Sequence, residues 1–290
     1  LAHQSPDPGQ EQASTYIVAD RSSEEEMARL LVQERLLTDS MGGVLAEQPE
    51  PERLGRILDV GCGPGGWIIE TARAYPALPL LIGIDISGRM LAAARSRATA
   101  EGLNGRVEFH QMDALRMLEF PHGFFGLVNQ RAGVSWLRKW DWPKILQEYR
   151  RVLRTGGVLR ITEVNGALES NSAALTRLWN IGAEAFYRSG TSFSLSGDNL
   201  GDTLADLLTQ HGWQGVQQRM YTLEYRPGTP EGELFAEDMK RLFRTFRPFL
   251  EKWLRLPDDY EEIYQQMLQD CARADFLATA RLFTVWGVKG

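Results

Sequence analysis

The stretch DVGCGPGGW, residues 59–67, decides how this chain is built and what it can hold. It satisfies two glycine spacings at once. Gly61, Gly63 and Gly66 spell G-x-G-x-x-G, the turn that carries a strand into a helix over a dinucleotide pyrophosphate. Gly61, Gly63 and Gly65 spell G-x-G-x-G, a spacing one residue shorter. The glycines do not choose between an anionic ligand and a cationic one, but their neighbours do. Asp59 closes the short apolar strand RILDV, two residues before Gly61. A carboxylate there opposes a diphosphate by like charge and suits a ligand bearing an ammonium and a sulfonium. Pro64 removes a backbone N–H that a phosphate cradle would use.

Outward from this loop the chain alternates strand and helix. RILDV passes through the glycines into the amphipathic GWIIETARAY, then into a second strand, LLIGID. Ser87 caps GRMLAAARSRATAEG, and RVEFHQMD and FFGLVNQR read as the third and fourth strands. Asp141, Trp142 and Pro143 open a helix in cap-then-proline order, which a TGG turn joins to a fifth strand, VLRITEV. Such alternation with short connections implies right-handed crossovers and an α/β fold on a parallel sheet. The tail adds a helix, DNLGDTLADLLTQHGW, and two strands, VQQRMYTLEYR and ARLFTVWGVKG. Aromatic-rich, helical-looking insertions interrupt it at about 166–197 and 227–279.

Two further acids close strands. Asp85 ends the second, about 20 residues past the glycines, where an acidic residue accepts from a ribose diol. Asp113 ends the third, where a carboxylate can accept from the adenine amine while the Ala114 N–H donates to a ring nitrogen. Asp59, Asp85 and Asp113 thus define a crevice for an amino-acid end, a ribose and a base. With LDVGCGPGGW, IGIDIS, MDAL, LVNQR and LRTGGVLRITE, the chain resembles the class I S-adenosylmethionine (SAM)-dependent methyltransferases of the small-molecule type. Motif by motif the resemblance spans residues 54–164. It implies a Rossmann-like sheet of seven strands with the last antiparallel, methyl transfer by in-line displacement, and SAM as cofactor. One position departs from the family pattern: Gly126 stands where the fourth strand commonly has Asp.

The resemblance implies a cofactor site of Tyr16, Asp59, Gly61, Cys62, Gly63, Gly65, Asp85, Ile86, Met90, Met112, Asp113, Ala114, Asn129, Gln130 and Arg131. Arg131 is placed to pair with the cofactor carboxylate, or else to form a surface salt bridge. Glu163, closing the fifth strand, is the candidate general base. The insertions stand above the C-terminal edges of strands five to seven, where Trp136, Trp179, Phe186, Tyr187, Phe243 and Phe246 would enclose an apolar, water-excluding acceptor pocket. An apolar secondary-metabolite-like acceptor, methylated on carbon or oxygen, follows. Two alternatives stay open: a cofactor-binding chain that cyclises or supports without methylating, and an NAD-dependent oxidoreductase.

Residues 1–50 read as a polar lead-in and a cap helix, residues 51–290 as the catalytic unit. Ser23 and Glu26 form a capping box for that helix, with Met27, Leu30, Leu31, Leu37 and Met41 on its apolar face. It could be exchanged with a neighbouring copy in a homo-oligomer. The 290 residues are 43% hydrophobic and 24% charged, with a net charge of −6 and no basic stripe, which argues against a nucleic-acid partner. No apolar run reaches the length of a membrane span. The two cysteines, Cys62 and Cys271, form no C-x-x-C pair, and the four histidines, His3, His110, His122 and His211, form no ligand pair, so no metal site is expected. A cytoplasmic location is the default expectation.

Overall fold

A computed structural model describes residues 16, 18, 24–195 and 199–290. The Ser23 cap expected from sequence lies outside them. Seven strands form one sheet: β1 Ile57–Val60, β2 Leu81–Asp85, β3 Val107–Gln111, β4 Phe125–Arg131, β5 Leu153–Ser170, β6 Trp213–Tyr225 and β7 Ala278–Lys289. Their order is β3-β2-β1-β4-β5-β7-β6. The first five run parallel, and β7 is antiparallel to both β5 and β6. The winding reverses between β1 and β4, and ligands of open α/β sheets bind outside the strand ends at such a point.

Helices cover both faces. Trp67, Ile68 and Leu91, from α2 Gly66–Ala74 and α3 Gly88–Ala100, pack with Ile57 and Leu127 on one side. Trp142, Ile145 and Tyr149 of α4 Trp142–Val152 and Leu204 of α6 Leu200–Gln210 pack with Leu58, Val128 and Ile161 on the other. The central strands are buried on both faces and accordingly read as near-continuous apolar runs. Gly126 has a steric reason: a Cβ there would lie 1.7 Å from the Leu54 carbonyl oxygen, so no side chain fits.

The longer strands build a second storey. β5 begins at Leu153 and runs to Ser170, well beyond the VLRITEV segment expected for it. It stays paired with β7 as far as Ser170 opposite Ala278, with a register shift between Val164 and Leu168. β6 follows β7 to Tyr225 opposite the same Ala278. These extended strands carry α5 Ala173–Ser189, and α7 Pro230–Thr245, α8 Arg247–Trp253 and α9 Tyr260–Cys271, the last three between β6 and β7. The lid has its own core, in which Leu175, Phe235, Phe243, Phe246 and Tyr264 are buried.

The first helix, α1 Glu24–Ser40, has three glutamates in its first turn, which favour the helix dipole, and ends before Gly42 and Gly43, both at positive φ. It packs on α7 and α2 of its own chain. Its most buried residues are Glu26, Arg29, Leu36 and Leu37, whereas Met27, Leu30 and Leu31 are half-buried. The deepest face is therefore partly an ion pair rather than the expected apolar stripe. No described helix is long and apolar enough to cross a membrane.

Candidate active site

The first element of the site is a rung across three strands. Asp59 on β1 is in register with Asn129 on β4, and Asn129 with Arg160 on β5. Asn129 Nδ2 donates to Asp59 Oδ1 at 2.7 Å, and Arg160 Nη1 donates to Asn129 Oδ1 at 2.7 Å. Arg160 is fully buried and also grips Glu47, Nε to Oε1 at 2.6 Å, with its guanidinium 5.8 Å from the centre of the Trp67 ring. Arg160 and Glu47 thus fix the amide that aims Asp59. Burial pushes the Asp59 carboxyl up to about 6, with nearby Arg131, the Asn129 hydrogen bond and Arg160 opposing it.

The glycine loop is tied down by the second acid. Asp85 Oδ2 accepts from Gly63 N at 2.9 Å and Oδ1 from Ser87 N at 2.8 Å. Gly61, Gly63 and Gly65 all lie at positive φ, which glycine adopts without strain. Asp113 Oδ1 accepts from Leu115 N at 2.9 Å, and Oδ2 lies 3.2 Å from Arg116. From above, α1 closes on the same loop: Glu34 Oε1 accepts from Gly66 N at 3.1 Å. A Cβ on Gly66 would fall 1.6 Å from Glu34 Oε2, so the third glycine of the G-x-G-x-x-G spacing makes room for α1 rather than for a phosphate. Burial pushes Glu34 up to about 7 against the pull of Arg131 and Arg97. Arg131 donates to Thr38 Oγ1 at 3.3 Å, and burial lowers its pKa.

A cavity of about 520 Å³ connects this edge to the lid. Its sheet end is lined by Asp59, Gly61, Cys62, Gly63, Asp85, Ile86, Met90, Met112, Asp113, Ala114 and Arg131, together with Glu34 and Leu30 of α1. Its lid end is lined by Tyr16, Trp179, Phe186, Phe235, Asp238, Phe243 and Phe246. Trp136 stands beside the loop: a Cβ on Gly61 would come within 3.3 Å of its indole nitrogen. Glu163 is also on the wall, its Oε1 accepting from Gly133 N at 2.7 Å and its Oε2 from Val134 N at 3.4 Å. Burial pushes Glu163 up to about 8, while those N–H groups pull it down.

Four sequence expectations are placed elsewhere. The Asn129 side chain is spent on Asp59 and Arg160, and buried Gln130 accepts from Tyr149 Oη at 2.6 Å; neither lines the cavity. Gly65 does not line it either. It caps α2 in the left-handed region, where a Cβ would meet Ala94 at 2.9 Å. Tyr187 points outward, 43% exposed. Of the histidines, His110 pairs with Glu108 and His211 Nδ1 lies 2.8 Å from the Leu207 carbonyl. Among the described residues no cluster of His, Cys, Asp or Glu could hold a metal.

Against known proteins, residues 57–157 match the methyltransferase-domain family. Over those residues the chain is similar to a methyltransferase domain. The matched segment runs from β1 to the start of β5 and contains Asp59 and Asn129 of the rung, the loop and all three strand-end acids, while Arg160 lies three residues past its end. A probable methyltransferase, ltbC, of Aspergillus luteorubrus is 32% identical over 137 residues, covering 45% of this chain and 48% of the relative. The ajmaline N-methyltransferase of Rauvolfia serpentina is 36% identical over 129 residues, 44% of this chain and 42% of the relative. The chain thus spans under half the length of each of these curated relatives. An O-methyltransferase family protein from Burkholderia thailandensis shares the fold, with a TM-score of 0.50 at 18% identity over 70% of this chain and 57% of that one.

The methyltransferase domain fits the cofactor of its class. At the sheet end, Asp59, Asp85, Asp113 and Glu34 outnumber Arg131, and burial raises Asp59 and Glu34. Such a wall calls for positive charge and hydroxyl donors, which SAM carries and a diphosphate does not.

Proposed function

We propose that this chain transfers a methyl group from SAM to carbon or oxygen of an apolar small molecule held under the lid. The observation that carries the reading is that one cavity joins the strand-end acids to an aromatic enclosure lined from both insertions.

Bound SAM supplies a methyl group already activated on a sulfonium. The chain supplies alignment. Asp59 and Arg131 hold the amino and carboxylate ends, Asp85 the ribose hydroxyls, and Asp113 with the Ala114 N–H the adenine. Trp179, Phe186, Phe243 and Phe246 hold the acceptor and exclude water, so that donor, methyl and nucleophile lie in line. Glu163 is our candidate to take a proton from an acceptor hydroxyl; with its carboxyl pushed up to about 8, it does so only in the ionised form, which rising pH populates.

The test is incubation with isotope-labelled SAM and a panel of apolar hydroxylated and unsaturated metabolites, read as a mass gain of one methyl. Calorimetric titration with SAM and with NAD accompanies it. Heat with SAM and a mass gain is the expected result; no heat with SAM ends the reading. Heat with no mass gain across the panel favours a cofactor-binding chain that does not methylate.

A further inference from the structure

The lid holds one buried ionic cluster that the transfer chemistry does not use. Arg29 grips Glu26 through both Nε and Nη2, each at 2.8 Å. Glu26 also accepts from Tyr16 Oη at 2.7 Å and Thr245 Oγ1 at 3.2 Å, so both its oxygens are satisfied. The remaining contact of the guanidinium, Nη1 to Asp238 Oδ1 on α7, is 3.2 Å. Glu26, Arg29 and Asp238 are all at least 96% buried. Among the described residues nothing donates to Asp238 Oδ2, and Asp238 lines the cavity.

The charges do not cancel. One arginine faces two carboxylates, and its fork is committed to Glu26, which leaves the surplus negative charge on Asp238. Beside Asp238, α7 lends the cavity the apolar Phe235, Met239, Leu242 and Phe243, and Tyr225 of β6, Tyr16 and Arg29 line it as well. Tyr225 and Phe235 stack at 4.1 Å. A clamp between α1 and α7 would need only Oδ1. Oδ2 has no donor among the described residues and belongs to a side chain on the cavity wall, where a ligand's donor can meet it.

We propose that Asp238 anchors a protonated amine of the acceptor, so that the molecules methylated here are apolar compounds carrying a basic nitrogen apart from the methylated atom. This rests on the reading that the lid half of the cavity holds the acceptor. An ammonium neutralises the surplus charge, gives Oδ2 its donor and finds aromatic faces beside it. A neutral hydroxyl supplies the hydrogen bond alone, and an anion is repelled. Burial pushes Asp238 up to about 6, against Arg29, so it is largely ionised at neutral pH.

The test is calorimetric binding of octylamine, 1-octanol and octanoate to the full chain, with and without S-adenosylhomocysteine. Octylamine is expected to bind at least tenfold tighter than the other two. Asp238→Asn, which keeps an oxygen for Arg29, should abolish that preference and leave 1-octanol binding unchanged. Equal affinities in the unaltered chain, or a preference surviving in D238N, overturn the proposal. Should D238N lose 1-octanol binding as well, Asp238→Glu decides: a restored amine preference supports the anchor, and its loss overturns it. No turnover is needed, so an amine preference in a chain that never methylates would sink the transfer reading alone.

Discussion

The two ends of the cavity are built by opposite rules. At the sheet end, contacts come from strand ends and a tight loop. Backbone N–H groups of Gly63, Ser87 and Leu115 meet acids close by in a sequential βαβ arrangement. At the lid end, side chains from α1, α5, β6 and α7 converge, and Arg29 reaches Asp238 across 209 residues. The first end is held by the sheet whatever covers it. The second exists only once extended strands and separate helices have packed together. The sheet end should therefore tolerate damage to the lid, while the lid end can vary its ligand without disturbing the loop.

The largest effect is expected from cutting the rung. Arg160→Ala leaves Glu47 buried without its partner and Asn129 free to turn, at a cost of about 3–5 kcal/mol. Urea denaturation reads the stability and calorimetry the SAM affinity; both should fall, and an unchanged SAM affinity would show that the rung does not aim Asp59. Phe246→Ala attacks the other end. The ring is buried and lies 5.0 Å from Phe249 and 5.3 Å from Phe186, so truncation should cost about 3 kcal/mol. SAM affinity should stay within about twofold where the chain is folded; a collapse of cofactor binding would break the distinction between the ends.

Asp59→Asn keeps the shape and removes one charge from the sheet end. SAM should bind about 10–100-fold more weakly, the loss of one charge-assisted contact. In the unaltered chain affinity should weaken below about pH 6, as Asp59 takes up a proton. Stability should also respond to pH. Burial raises Glu34 to about 7 and Glu163 to about 8 from ordinary values near 4.5. Between those values the folded chain keeps protons that the unfolded chain has lost, so stability should fall as pH rises from about 5 to 8. Glu163→Gln should flatten the upper part of that slope in thermal melts; an unchanged slope would mean that Glu163 is not the group responsible.

Much of the sheet end was legible in the chain. Asp59 and Asp85 stand in the last two residues of β1 and β2 and Asp113 two residues past β3, and the local alternation of strand and helix reveals that. Arg160 carried a readable signal: a charged residue inside VLRITEV, a strand flanked by strands on both sides, must have a buried partner. Its partner Glu47 was not readable, being 113 residues away in a polar segment. Glu26 reads in the chain only as the capping-box partner of Ser23, and Arg29 and Glu34 lie off the apolar positions of α1, because hydrophobic periodicity counts such charges as exposed. Gly66 looked like part of a phosphate fingerprint, and only the approach of α1 shows what its missing side chain is for. Tyr187 shared helix α5 with Phe186 and Trp179, yet it faces outward.

Alternating strands and helices, a bent glycine loop and three acids at its rim follow from local order: strand ends, turns and caps depend on residues a few positions apart. The Asp59–Asn129–Arg160 alignment follows from strand register, which neighbouring strands set together. The closing of α1 over Gly66, and the meeting of Arg29 with Asp238, needed the packed molecule. Burial and charge pairing are properties of what lies opposite in space, and a linear pattern shows a residue's neighbours in the chain but not what it faces.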